Sequence, residues 1–278
     1  MNDPRPGIKV SVVTTVYNGE RFFDQSPPSI LAQSLTDFEW IILDDGSSDA
    51  TPRLLAELAA RDPRVRVLSP GRLGRAQALN RAVGEARGEY IAIQDFDDVS
   101  YPERLLQQSR FLEAHPRVGV VGAHYVLIDE NRAERYVRQP PTDHAGLRRA
   151  MARSIPFAHT MVMFRRAAWL QAGGYPVQDD IEDLALWIGM ARGGWELANL
   201  PEVLGEHYVY AASYWHRNFS YMKRQRSLAR VQVQAIRQLR LPASSYVYPL
   251  GRLVYGYLPT GAKRTVRRLL GRSSEQDT

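Results

Sequence analysis

The chain has 278 residues, 44% of them apolar, with 36 Lys+Arg against 30 Asp+Glu and no cysteine. That length suits one large domain, or one domain with an appendage, around a real core. The missing cysteines exclude a disulfide framework, a thiolate metal site and a cysteine nucleophile.

The net charge of +6 is unevenly spread. Residues 217–278 hold 13 Lys+Arg and 2 Asp+Glu, a balance of +11, which leaves the first 216 at −5, with 23 basic and 28 acidic residues. The sequence pI of about 9.6 therefore belongs to the tail, and a nucleic-acid binder is disfavoured for the body. The start, Met1-Asn2-Asp3-Pro4-Arg5-Pro6, lacks the basic-then-apolar order of a signal peptide. No apolar run approaches the roughly 18 residues of a membrane span. The expectation is a soluble cytoplasmic protein.

In chain order, Ile8–Tyr17 is β-branched and mostly apolar, as a buried strand should be, and ends at the turn signal Asn18-Gly19. A helix through Ser29–Ser34 follows. Phe38–Leu43 is the second strand, stopping at Asp44-Asp45-Gly46-Ser47-Ser48-Asp49. Thr51 as N-cap and Pro52 at the first helical position open the next helix, with Leu54, Leu55, Leu58 and Ala59 as its stripe. Arg64–Leu68 is a short third strand. Leu79, Ala82, Val83 and Ala86 give helical spacing to a segment beginning near Gly74 and ending at Gly88. The fourth strand, Glu89–Ile93, runs into Gln94-Asp95-Phe96-Asp97-Asp98.

Strands alternating with helices predict an α/β fold, a doubly wound and mostly parallel sheet. Ligands then collect at the strand C-terminal ends, where both acidic clusters fall. Three carboxylates within four positions repel one another. A hard divalent cation, Mg²⁺ or Mn²⁺, would relieve them, because such ions take carboxylate oxygens and substrate phosphates. The plainer alternative is that these acids start a turn and cap the helix near Pro102. A dinucleotide fold would need a glycine-rich turn after the first strand, where Tyr17-Asn18-Gly19-Glu20 stands instead. There is no Gly-Lys-Ser/Thr phosphate loop.

These pieces resemble glycosyltransferase family 2, the inverting GT-A enzymes that use nucleotide-diphosphate sugars. The resemblance rests on Val10–Gly19, Ser29–Ser34, Asp44–Asp49, Asp95–Asp98 with Pro102, Gly173-Gly174-Tyr175 and Glu182-Asp183-Leu184-Ala185-Leu186-Trp187. It covers roughly residues 8–216 and is specific through the order of its motifs.

The resemblance implies a GT-A domain over 1–216, with a nucleotide-binding half to about 100 and an acceptor half over 101–216. Residues 217–278 form a basic, aromatic, mostly helical extension. Thr15, Tyr17 and Asp45 match the nucleoside pocket. A carboxylate at Asp45 would accept from the imide N–H of uracil or thymine, which favours a UDP- or dTDP-sugar donor; otherwise Asp45 only caps its turn. Asp97 matches the main metal ligand, and Asp95 the ribose or a second contact to the cation. Asp98 is expected to cap the following helix. Arg75 is either a nucleotide contact or a solvated arginine at a helix start. Asp183, with Glu182 as rival, matches the base that deprotonates the acceptor hydroxyl. His159 and Trp187 are assigned to the donor-sugar or acceptor pocket, with a structural histidine as the alternative for His159. Relatives carry a histidine near the diphosphate where this chain has Tyr210, so Tyr210 joins that pocket; His207 and His216 are out of register.

The expected activity is transfer of a sugar to a hydroxyl of a glycan or lipid-linked acceptor in cell-envelope polysaccharide synthesis. A non-catalytic sugar-nucleotide-binding partner of an assembly complex and a nucleotidyltransferase are the alternatives. In the tail, Leu228, Val231, Ala235, Ile236 and Leu239 predict an amphipathic helix packed on the body. Ala262–Leu270 is short and basic, and suits peripheral docking on an anionic membrane at the cytoplasmic face.

Overall fold

The computed structural model describes residues 8–131, 133–177, 181–210, 220–259 and 262–263. Four parallel strands, β1 (Val10–Val16), β2 (Phe38–Asp44), β3 (Val65–Leu68) and β4 (Tyr90–Ile93), lie in the order β3-β2-β1-β4. The helices α1 (Ser26–Leu31), α2 (Thr51–Arg61) and α3 (Arg75–Gly84) connect them.

The strands are apolar on both faces, and their residues alternate between two cores. Val10, Val12, Trp40, Ile42 and Ala92 pack with Ile30 of α1 and Leu55 of α2. Val13, Ile41, Leu43, Ile91 and Ile93 pack with Ala78, Leu79, Ala82 and Val83 of α3 on the opposite face. Glu39, near the start of β2, is buried and satisfied. It accepts from the Ser11 hydroxyl at 2.7 Å, the Arg87 N–H at 2.7 Å and Arg66 at 2.9 Å.

Beyond β4 the sheet becomes mixed. The second half comprises β5 (Val99–Ser100), α4 (Arg104–Ala114), β6 (Val118–Asp129), β7 (Glu134–Arg138), α5 (His144–Ala150), β8 (Met163–Arg165), α6 (Arg166–Ala172), α7 (Glu182–Arg192) and β9 (Glu196–Val209). The order continues β4-β8-β6-β9-β5, with β7 on the side of β6. β8 runs antiparallel to both β4 and β6, whereas β9 is parallel to β6 and antiparallel to β5. Arg104 is buried where these pieces meet. It donates to the carbonyls of Ile93 and Val162 at 2.6 and 3.2 Å, and to Gln94 Oε1 and the Ser100 hydroxyl at 3.0 and 2.7 Å. The end of β4, just before the acidic turn, is thus clamped by one cation.

Three local expectations are corrected. Thr51 does not cap α2; it lies inside the helix and its hydroxyl accepts the Gly19 N–H at 2.8 Å. Gly88 does not end α3, which closes at Gly84. Gly88 instead lets the entry to β4 lie against β1, since a Cβ there would come within 2.7 Å of the Ser11 nitrogen. Asp98 does not cap α4, whose N-cap residue is Glu103 without a side-chain bond.

In the tail, α8 (Tyr221–Gln238) buries Val231 and Ala235, and its C-cap residue Leu239, in the core that α7 also lines. Ser220 caps it by accepting from the Lys223 N–H. The helix α9 (Val247–Tyr257) packs back on α8. Most of the basic stretch over 262–270, and His216, lie outside the described residues. Among the described residues no helix is long and apolar enough to cross a membrane.

Candidate active site

The loops after β1 and β2 are laced together at the C-terminal edge of the sheet. The Asn18 N–H donates to the Ser47 hydroxyl at 2.9 Å, and the Ser48 N–H to Asn18 Oδ1 at 2.8 Å. Asn18 adopts φ 53°, a left-handed conformation that asparagine tolerates. Asp44 folds the turn by accepting the Ser47 N–H at 3.0 Å. Asp45 reaches across to the loop ahead of α3. It accepts from the N–H groups of Leu73 and Gly74 at 2.6 and 3.1 Å and pairs with Arg72 at 3.0 Å. The Arg72 guanidinium in turn lies 3.8 Å over the exposed Tyr17 ring. Thr15, one position before the end of β1, is partly exposed at the same edge.

The loop held by Asp45 delivers Arg75, the first residue of α3. Arg75 is not a solvated arginine. Its Nε donates to Glu182 Oε1 at 2.6 Å, and its Nη2 lies 3.2 Å from Asp95 Oδ1 and 3.0 Å from His159 Nδ1. Burial disfavours its cation, yet Asp95 and Glu182 outweigh that and raise its pKa well above the ordinary value. Since Arg75 can only donate, this contact assigns Nδ1 of His159 as the acceptor and leaves its Nε2–H for the Tyr175 oxygen at 3.0 Å.

The acidic turn distributes its three carboxylates to different partners. Burial pushes Asp95 up, but the Arg75 guanidinium beside it holds it far below the usual carboxylate range. Asp98 is fully buried and accepts from the Tyr208 N–H at 2.8 Å and from His207 Nδ1 at 3.0 Å. Burial disfavours the His207 cation, yet Asp98, with Asp97 and Asp95 behind it, raises its pKa to about 9. Asp97 accepts the Tyr210 hydroxyl at 2.6 Å. Burial, then the charges of Asp98 and Asp95, push Asp97 up to about 7. An oxygen donor with surplus negative charge around it is what a hard divalent cation suits. Among the described residues no group of three or more His, Asp or Glu is arranged to hold a metal by itself. Asp97 is the carboxylate of the turn that could take part in holding such a cation. Asp95 already has one oxygen bonded to Arg75.

At the start of α7 the two adjacent acids differ. Glu182 is buried and bonded to Arg75, while Asp183 is partly exposed and, among the described residues, accepts a local N–H, that of Leu184 at 2.7 Å. Burial, then the neighbouring Glu182 charge, raise the Asp183 pKa.

One residue expected in a sugar pocket, Trp187, lies in the core instead. Trp187 is 0% exposed and packs against Phe157 and Phe164 in the core. His159 is buried with both ring nitrogens partnered, and it supports Arg75. Tyr210 is directed to Asp97 by its hydroxyl, with the Arg21 guanidinium 4.1 Å over its ring. Sequence reasoning passed over Arg72, Tyr175 as a partner of His159, and the pairing of His207. The run Gly71-Arg72-Leu73-Gly74-Arg75 held a signal: two arginines beside glycines in a loop at a ligand-binding edge.

The chain is similar to known proteins over most of its length. A family model described as Glycosyl transferase family 2 matches residues 11–173. A putative glycosyltransferase, EpsE of Bacillus subtilis (strain 168), is 34% identical over 258 residues, 91% of either chain. The amylovoran biosynthesis glycosyltransferase AmsE of Erwinia amylovora is 32% identical over 197 residues, 70% of this chain and 74% of that one. Among solved structures, the mannosyltransferase PcManGT from Pyrobaculum calidifontis, in complex with GDP-Man and Mn²⁺, superposes with a TM-score of 0.69 at 22% identity, over 98% of this chain and 83% of that one. S. aureus TarS 1–349 with UDP-GlcNAc gives 0.67 at 17%, over 97% and 77%. At such identities the likeness establishes the GT-A fold alone.

Two outcomes follow from these contacts. Arg75→Met strands Glu182 and Asp95 without their cation, so urea denaturation should show a loss of about 3 kcal/mol. Adding Glu182→Gln should restore part of it, and an unchanged midpoint in the single variant would remove Arg75 from its bridging role. The His207 cation contributes stability that is fully present below its unfolded pKa of about 6.5 and lost as pH climbs through about 9. In EDTA, the melting-temperature advantage of the wild type over His207→Gln should shrink between those values. A difference independent of pH would contradict the ion pair.

Proposed function

The chain belongs to glycosyl transferase family 2 and is a glycosyltransferase, and from that premise we propose that it is a metal-assisted, inverting enzyme that moves a sugar from a nucleotide-diphosphate donor to a hydroxyl group. The observation that carries this reading is the convergence through Arg75. Asp45 anchors the loop that presents Arg75, and Arg75 bonds both the acidic turn of Asp97 and the α7 start of Asp183.

In this reading Thr15, Tyr17 and Asp45 receive the nucleoside. The Asp45 carboxylate already accepts backbone N–H groups, but a carboxylate offers about four acceptor sites. One more bond, from the imide N–H of uracil or thymine, keeps a UDP- or dTDP-sugar favoured. Arg72, over Tyr17, is placed to follow the base. Asp97, with Asp95 beside it, would hold Mg²⁺ or Mn²⁺ together with the diphosphate. When bound, that ion supplies positive charge to the departing diphosphate. PcManGT was solved with Mn²⁺, which supports use of a divalent cation.

Asp183 is the better base of the two. Arg75 occupies Glu182, whereas Asp183 keeps a partly exposed carboxylate of raised basicity. It takes the acceptor proton as the hydroxyl oxygen bonds to the anomeric carbon. The bond from that carbon to the diphosphate oxygen breaks with inversion, and nucleoside diphosphate leaves. Glu182 and Arg75 are positioning residues. The amylovoran role in AmsE's name supports an acceptor in polysaccharide synthesis, either a glycan or a lipid-linked hydroxyl.

The test separates binding from chemistry. Asp183→Asn should lower kcat by roughly 10² to 10⁴, with calorimetric affinity for nucleoside diphosphate kept. Asp97→Asn should abolish the melting-temperature rise given by nucleoside diphosphate plus Mn²⁺ while the metal-free protein stays folded. Full turnover in the first, or an undiminished Mn²⁺-dependent shift in the second, would sink the respective role.

A further inference from the structure

The helix α9 carries an apolar stripe that stays exposed among the described residues. It turns Pro249 and Gly256 inward. Val247, Leu250, Val254 and Tyr257 remain 62%, 60%, 64% and 64% exposed. Their spacing of three, four and three places all four on one helical face. Apolar side chains grouped in this way mark a surface that meets another apolar phase.

The neighbouring helix indicates which phase. Arg226, Arg230 and Arg237 of α8 are exposed and share one face, opposite the side that packs on α7. The two stripes abut, because Arg226 donates to the Tyr257 hydroxyl and its guanidinium carbon lies 5.6 Å from that ring. Residues 220–259 contain seven Lys+Arg and no Asp or Glu. A second copy docking through the same face would bring like charges together. A nucleic acid would satisfy the arginines but leave valine and leucine in water. A bilayer with anionic headgroups satisfies both, hydrocarbon for one stripe and phosphate for the other.

We propose that the α8–α9 hairpin seats this protein on an anionic phospholipid surface. Val247, Leu250, Val254 and Tyr257 enter the headgroup–acyl boundary, and the α8 arginines contact lipid phosphates. This site lies apart from the acidic turn and does not depend on the sugar-transfer reading.

Flotation of the full-length protein with vesicles tests it. Recovery is expected with phosphatidylcholine–phosphatidylglycerol vesicles and not with phosphatidylcholine alone, and salt should reduce it. Arg226→Gln/Arg237→Gln should lower the partition coefficient by about fivefold for each charge removed. Leu250→Gln/Val254→Gln should lower it more than tenfold, with melting temperature and nucleoside-diphosphate release unchanged. Flotation of either variant equal to the wild type would overturn the proposal, as would absence of wild-type flotation. A dimer in sedimentation that Leu250→Gln/Val254→Gln dissolves would assign the stripe to a second copy and overturn it too. Loss of sugar transfer with flotation intact would count only against the catalytic reading.

Discussion

A single guanidinium ties the halves of this molecule together at its working edge. Arg75 begins α3, and it binds Glu182 of α7 and Asp95 at the end of β4. These residues are far apart in the chain, and two of them are anions that would repel if brought together alone. The origin of the bridge is held as well: Asp45 accepts from the backbone immediately before Arg75. His159 closes the remaining side and is itself held by Tyr175. The order of dependence runs from a strand-end carboxylate, through a loop, to a cation, and then to the acids at the end of β4 and the start of α7.

The acidic turn shows how neighbours assign different tasks to identical side chains. Asp95, Asp97 and Asp98 share a charge and a short stretch of chain. Arg75 neutralises the first. His207 and the Tyr208 N–H neutralise the last. Asp97 has a neutral hydroxyl donor, Tyr210, and two like charges nearby. Its charge is therefore the least compensated of the three. The same logic divides Glu182 from Asp183. In both places one carboxylate is left less compensated than its neighbours.

The C-terminal hairpin carries a division of its own. The inner face of α8 extends the core, with Val231, Ala235 and the C-cap residue Leu239 buried. The outer faces of α8 and α9 are basic and apolar.

By itself the sequence determined the parallel half of the fold. The β-branched runs of β1, β2 and β4 need burial on both faces, and their acidic or turn-forming ends place a polar edge at the strand C-termini. Periodicity likewise determined the buried face of α8. Which acid does what was decided only by tertiary structure. The partner of Asp97 is 113 residues away, that of Asp98 110, and that of Glu182 107, and no local pattern encodes such pairings. Trp187 reads as a pocket residue from its motif yet is core, because the helix turns it inward. Gly88 reads as a helix end yet is a close approach between strands. The antiparallel insertion of β8 between β4 and β6 was hidden for the same reason: a three-residue strand has too few positions for its period to show, and its place is set by the long strands on either side.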